Sequence, residues 1–82
     1  MITITYLERK KKKGSVVASK FIKCYASQDK ARKEIQTAVQ EMRKAEREMR
    51  KPSIEIIGVS YETKSERTFL IELGALITEV DD

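Results

Sequence analysis

The sequence predicts an α+β fold in which one long helix covers one face of a single antiparallel sheet of four or five strands, in β-β-α-β-β order. Residues 2–7 alternate between apolar and polar side chains and are rich in β-branched residues, which is typical of a strand with one buried face. Residues 28–50 contain neither Gly nor Pro and carry apolar residues at helical spacing. Residues 54–61 and 68–73 again have the composition of strands.

The first two strands are expected to form a hairpin. The strand pattern stops at a run of five cations and resumes over residues 16–25, so residues 10–14 should lie near the tip. On the second strand, one face carries Val16, Ala18, Ile22 and Cys24, and the other carries Val17, Phe21, Lys23 and Tyr25. Both faces therefore contain apolar groups.

The central helix should begin after Ser27, a good N-cap, with Asp29 in its first turn, and should run to about Arg50. Its apolar stripe has spacings of 4, 3, 4, 3 and 4 residues and consists of Ala31, Ile35, Ala38, Met42, Ala45 and Met49. At about 1.5 Å per residue the helix would outreach the sheet. We therefore expect an overhanging end that either pairs with another helix through Met42, Ala45 and Met49 or frays in solvent.

The C-terminal part is predicted to be a second hairpin, with residues 62–67 as its polar turn. Gly74 would end or bulge the fourth strand, and residues 75–80 would continue it or add a fifth. The chain of 82 residues then forms one domain, with a basic hairpin over residues 1–26, a helix over 27–51 and an acidic hairpin over 52–82.

The net charge of +4 is unevenly distributed along the chain. Residues 1–26 carry seven Lys or Arg and one Glu, a net charge of +6, and residues 27–51 carry eight and five, a net charge of +3. Residues 52–82 carry two basic and seven acidic residues, a net charge of −5. Such a dipole can steer a phosphate-rich or acidic partner toward one side, although the two parts can also neutralise each other in the fold.

Composition argues against an enzyme. There is no His, which removes the commonest general base and metal ligand, and the single Cys24 lies among alternating apolar residues that favour a buried structural role. The three glycines are too far apart for a phosphate-binding loop. We therefore expect no catalytic residue, metal, cofactor or small-molecule substrate. With no apolar stretch near the ~20 residues that span a bilayer, we expect a cytoplasmic protein that does not enter membranes.

Nucleic-acid binding is the leading functional prediction. Cations near a hairpin tip can contact successive phosphates, and the candidates here are Arg9, Lys10, Lys11, Lys12 and Lys13, with Lys20 and Lys23 on the second strand. Phe21 and Tyr25 flank Lys23 and could stack unpaired bases on an open sheet, or could instead pack against a second layer or form a protein interface.

The hairpin followed by the Ser-capped segment Tyr25-Ala26-Ser27-Gln28-Asp29-Lys30-Ala31 resembles the arm-binding N-terminal domains of phage and transposon integrases. The resemblance covers about the first half of the chain and implies a sheet that enters the major groove. The chain departs from that pattern because the usual third strand before the helix is missing and the second hairpin lies outside it. No residue role is transferred.

The competing prediction is a protein-interaction module. One helix cannot cover Val17, Phe21, Tyr25, Ile57, Val59 and Leu70 together, and exposed apolar surface of that kind usually marks an interface. Such a module could be a homodimeric adaptor. In size, charge density and lack of catalytic groups the chain also resembles phage-made inhibitors of bacterial defence complexes, including CRISPR effectors, which implies docking on a nucleoprotein complex.

Overall fold

A computed structural model describes residues 1–76 of the chain, which form a three-stranded antiparallel sheet and two helices. The elements follow one another as β1 (Ile2–Lys12), β2 (Ser15–Tyr25), α1 (Gln28–Arg47), β3 (Ile54–Ser60) and α2 (Lys64–Leu73). The order is therefore β-β-α-β-α, and the predicted β-β-α-β-β order with four or five strands and one helix is wrong. The predicted fifth strand falls mostly on residues outside the described part.

The segment predicted as the fourth strand is helix α2, so the predicted C-terminal hairpin is also wrong. Thr63 is its N-cap, and its side chain accepts a hydrogen bond from the backbone N–H of Glu66 at 3.1 Å. The Glu66 carboxylate accepts in turn from the backbone N–H of Thr63, also at 3.1 Å, which completes a capping box. Gly74 closes the helix in the left-handed conformation at φ 79°. These local bonds outweigh the strand propensity of residues 68–73.

β1 is the central strand, in the order β2-β1-β3. Its even-numbered side chains Ile2, Ile4 and Tyr6 point toward the helices and are at most 2% exposed. They pack with buried residues of both helices, including Ile35, Ala38, Phe69, Leu70 and Leu73. The core is therefore built on a single strand, and the other elements are arranged around it.

The β1–β2 hairpin closes with a two-residue turn, Lys13 and Gly14, at φ 50° and 83°. Two consecutive positive φ values fit the primed turns that match strand twist. The predicted hairpin is confirmed, but β1 continues through the cationic run to Lys12, which pairs with Ser15. The lysines are therefore part of a regular ladder, and only Lys13 lies in the turn itself.

Helix α1 begins after the predicted N-cap Ser27, whose hydroxyl accepts from the backbone N–H of Lys30 at 3.4 Å. Of the predicted stripe, Ala31, Ile35, Ala38 and Ala45 are buried, and Val39 is buried beside them. The helix ends at Arg47, earlier than expected, and Met49 takes a φ of 55° just beyond it. The left-handed residue turns the chain back toward β3. Ala45, expected on an overhanging end, is completely buried, so the predicted overhang is wrong at that residue.

The two helices leave β2 largely uncovered. Of its 11 residues only Tyr25 is buried and Phe21 half-buried, while the other nine are exposed. Leu70, which the sequence placed on the sheet, lies on α2 and is completely buried. A second helix thus covers the sheet on the side of β1 and β3, and the remaining exposed apolar surface is concentrated on β2.

The capping box predicts a specific loss of stability. Thr63→Ala should lower the free energy of unfolding by about 1 kcal/mol, because it leaves a first-turn N–H of α2 without its side-chain acceptor. Urea denaturation followed by circular dichroism measures the change. The control is Thr68→Ala, since Thr68 is exposed on the same helix and bonds only to the carbonyl of Lys64 in the described structure. Equal losses for both variants would contradict the role of the box.

Candidate nucleic-acid interface

The free end of the hairpin forms a narrow two-stranded projection, here called the basic arm and defined as residues 10–17. β3 pairs with β1 only between Thr3 and Glu8, and the last contact is the Arg9 N–H donating to the Ser53 carbonyl at 2.8 Å. Beyond that point the two strands pair only with each other among the described residues. The arm places Lys10, Lys11, Lys12 and Lys13 in exposed positions.

The base of the basic arm faces the connection between α1 and β3 across a groove of about 550 Å³, here called the basic groove. Five of its nine lining residues are basic and none is acidic: Arg9, Lys10, Lys11, Val16, Ala18, Arg50, Lys51, Pro52 and Ser53. The sequence alone did not predict that Arg50 and Lys51 lie beside the hairpin, because they come some forty residues after its cations in the chain. The groove is a result of tertiary structure.

Arg9 is a structural cation. Its guanidinium pairs with the Glu55 carboxylate at 2.9 Å and donates to the Pro52 carbonyl at 2.8 Å, and its side chain is only 19% exposed. These contacts fix β1 against the start of β3 at the point where the basic arm begins. Arg9 was predicted to contact phosphate, but its charge is already compensated by these contacts.

A second ion-pair cluster holds the other wall of the basic groove. The Arg50 guanidinium donates to Glu41 at 2.8 Å and to Glu48 at 2.7 Å, and Glu41 also accepts the Ser53 backbone N–H at 2.7 Å. These hydrogen bonds, first from Arg50 and then from Ser53, lower the pKa of Glu41 to about 2. The same contacts raise the pKa of Arg50 above its usual value. The cluster fixes the chain reversal after α1.

The remaining cations of the arm and groove are less compensated. Lys10 approaches Glu8 at 3.6 Å, while Lys11, Lys12, Lys13 and Lys51 make no ion pair within residues 1–76. The last turn of α1 contributes Lys44 and Arg47 at this end of the molecule. An anion entering the basic groove would meet several solvated ammonium groups and no carboxylate on the lining.

The predicted cations of β2 lie apart from this groove. Lys23 bonds to Glu34 of α1 at 2.7 Å, which raises the pKa of Lys23 and lowers that of Glu34. Lys20 is exposed on the sheet face opposite the helices, where its register partner is Leu7. Neither residue lines the basic groove.

The predicted stacking residues face the helices. Tyr25 is 5% exposed, and its hydroxyl and that of Tyr6 lie 2.7 Å apart in a buried hydrogen bond. Burial raises the pKa of both phenols. Phe21 stacks on the Tyr6 ring with 5.1 Å between centroids and lines a cleft of about 320 Å³ between β2 and α1. Tyr25 thus has no free ring face for a base, whereas Phe21 is half-buried at the cleft.

The three residues predicted to form a helix interface lie in three different environments. Ala45 is completely buried, and the Met42 sulfur lies 3.4 Å from the backbone nitrogen of Ile56. Met49 lies past the end of α1 and is 93% exposed. Cys24, expected to be buried, is exposed on the open sheet face, with its sulfur 3.7 Å from the Thr3 hydroxyl.

Within the described residues, no group of acidic, Cys or His side chains is arranged to hold a metal ion, and no helix is long and apolar enough to cross a membrane. Comparisons with family models, curated proteins and solved structures found no match to this chain. Function therefore has to be inferred from the geometry.

The Glu41 cluster predicts a pH dependence of stability. Because its folded-state pKa of about 2 lies below the ordinary value of 4.5, ionised Glu41 stabilises the fold above about pH 4.5, and this contribution is lost as the pH falls through 2. Glu41→Gln should therefore unfold at a lower denaturant concentration at pH 7, and its difference from wild type should shrink toward pH 2. Glu46→Gln is the control, since that carboxylate makes no side-chain hydrogen bond among the described residues. A wild-type advantage that persists at pH 2 would contradict the assignment.

Proposed function

We propose that this protein is a non-enzymatic nucleic-acid-binding module that uses its basic arm and basic groove to contact the phosphate backbone. The observation that carries the proposal is the acid-free lining of the groove, in which a β-hairpin and the α1–β3 connection bring together cations from two distant parts of the chain. Phosphate contacts by Lys and Arg supply affinity by releasing counterions, without reading bases.

The ion-pair arrangement divides these cations into two roles. Arg9 and Arg50 are bound to carboxylates and fix the walls of the groove. Lys11, Lys12, Lys13 and Lys51 have no such partner within residues 1–76, so they can approach phosphates without first giving up a protein contact. Lysine suits this task because its compact charge makes no demand for a particular planar geometry.

The shape of the basic arm supports binding to nucleic acid by insertion into a groove or by contact along the phosphate backbone. A two-stranded β ribbon is narrow enough to enter the major groove of duplex DNA, which is about 12 Å wide. The proposal places the protein in the cytoplasm, where the exposed Cys24 thiol would remain reduced.

The test is a fluorescence-anisotropy titration of labelled duplex DNA, single-stranded DNA and RNA against wild type and the triple variant Lys11→Gln, Lys12→Gln, Lys13→Gln. The variant should bind every sequence more weakly, and its plot of log affinity against log salt should flatten by roughly one unit per lost phosphate contact.

The matched control carries the same charge change elsewhere: Lys30→Gln, Lys33→Gln and Lys64→Gln, all exposed on the helices. It should retain most of the affinity and the wild-type salt slope. Equal losses in the two triple variants would mean that only net charge matters and would refute a specific arm. A wild type that does not bind at low salt would refute the proposed function altogether.

A further inference from the structure

The free edge of β2 is the largest unexplained feature of the described structure. This edge strand is 11 residues long, without a register shift against β1, and exposes Val16 (61%), Val17 (47%) and Ile22 (65%) on its two faces. The opposite edge, on β3, has only seven residues and is interrupted by a β-bulge at its pairing with Thr5 and Tyr6. Bulges and short length protect an edge from pairing, and β2 has neither.

The hairpin turn determines which backbone groups of β2 are free. In a two-residue hairpin the residues that flank the turn, here Lys12 and Ser15, form a hydrogen-bonded pair. The odd-numbered residues of β2 therefore bond to β1, and the even-numbered residues direct their N–H and C=O groups to the free edge. A partner strand would bond to Val16, Ala18, Lys20 and Ile22.

We propose that this edge binds the same edge of a second copy of the chain, with Ser19 opposite Ser19 across a two-fold axis, to form a continuous six-stranded antiparallel sheet. In this register the exposed apolar residues meet one another on both faces. Val16 faces the partner's Ile22 on the open face, and Val17 faces the partner's Phe21 on the helix face. The large apolar side chains that the helices leave uncovered on this strand, Val16, Val17 and Ile22, thereby each gain an apolar neighbour.

The charges of β2 also select this register. Lys20 would face the partner's Ala18, and Lys23, already paired with Glu34, would face the partner's Ser15. Pairing centred one residue later would instead set Lys20 against Lys20, which is unfavourable for like charges directly opposite on neighbouring strands. Centring on Phe21 would set Ile22 against Lys20 and would place Val16 opposite Ala26, which lies beyond the end of β2.

The interface would carry as many hydrogen bonds as a typical specific interface. Residues 15–23 pair over a length of about 31 Å and exchange about eight backbone hydrogen bonds through the four even-numbered positions. That number lies within the range of about 10 ± 5 hydrogen bonds that typical interfaces carry. Helix α1 covers β2 only near Tyr25, where its Glu34 pairs with Lys23, while residues 15–20 and Ile22 are exposed, so a partner strand can approach the free edge.

The first test is sedimentation velocity of the wild type over a wide concentration range. We expect a reversible monomer–dimer equilibrium that Val16→Glu shifts to monomer by at least tenfold in dissociation constant, because it places a charge against the partner's Ile22. Val16 is exposed, so this change should leave the monomer folded. Adding Ile22→Lys to Val16→Glu places opposite charges across from one another and should restore the dimer. A wild type that remains a 9.5 kDa monomer at all concentrations would overturn the proposal.

The second test fixes the register by disulfide cross-linking in a Cys24→Ser background. Ser19→Cys should form a covalent dimer under mild oxidation, because residues in a non-hydrogen-bonded antiparallel pair have Cα atoms about 4.5 Å apart, within disulfide range. Ser15→Cys is the matched control, since Ser15 is an exposed serine on the same face whose two copies would lie about 27 Å apart along the strand. Preferential cross-linking through Ser15→Cys, or through Phe21→Cys, would overturn this register.

Failure of the dimer and failure of the proposed function can be told apart. In this register the basic arms point in opposite directions, with their turns about 37 Å apart along the strand direction. The interface takes up only the β2 side of each arm and leaves residues 10–13 outside it. That distance is close to one turn of B-DNA, about 34–36 Å, and this match matters only if the proposed function holds. The sedimentation and cross-linking tests contain no nucleic acid, so they judge the dimer alone.

Discussion

The rest of the structure depends on the first part of β1, whose apolar even-numbered side chains must be buried by the elements around it. The core is built on three buried side chains of β1, and both helices pack onto them: Ile2, Ile4 and Tyr6. A chain of this size buries only about 60% of its unfolded surface, so it cannot cover three strands equally well. α1 and α2 cover the side of β1 and β3. The exposure of β2 follows directly from this limited amount of apolar cover.

The two-residue turn at Lys13 and Gly14 links local sequence to both proposed surfaces. With this turn the β1–β2 ladder extends to Lys12, so the basic arm is a regular structure. The turn also determines that the odd-numbered residues of β2 hydrogen-bond to β1 and that the even-numbered residues face the free edge. Charged groups are also distributed along the direction of the hairpin. The N-terminal amine is paired with Glu62 and Glu66 at one end, whereas the C-terminal end of α1, which favours cations, adjoins the basic groove at the other.

The first half of the fold could be predicted because its signals are local. Alternation in β1, the break at Gly14 and the Ser27 cap each specify an element by themselves. The prediction for the second half is wrong because residues 68–73 have strand composition and the polar residues 62–67 resemble a turn. The spacing of Thr63 and Glu66, however, is that of a capping box. The basic groove could not be predicted, since Lys51 reaches the arm only through the chain reversal that Glu41 and Arg50 fix. For Tyr25 the sequence left two alternatives, base stacking and packing against a second layer, and its burial under the helix at that end of β2 decides for packing.

The two proposals would reinforce each other in a physical sense. One arm offers only a few lysine contacts, and a phosphate contact of this kind weakens steeply as salt rises. Joining two such arms makes the second contact intramolecular, which can raise the overall affinity by 10²–10⁴ when the geometry allows both to engage. The dimer uses residues 15–23 of β2, whereas the lysines of the basic arm belong to β1 and the turn, so assembly would leave those four cations free for phosphate. The edge of β2 is exposed because the chain has too few apolar residues to cover it. Through dimerisation, that same edge would give a small basic module two binding arms where a single copy has one.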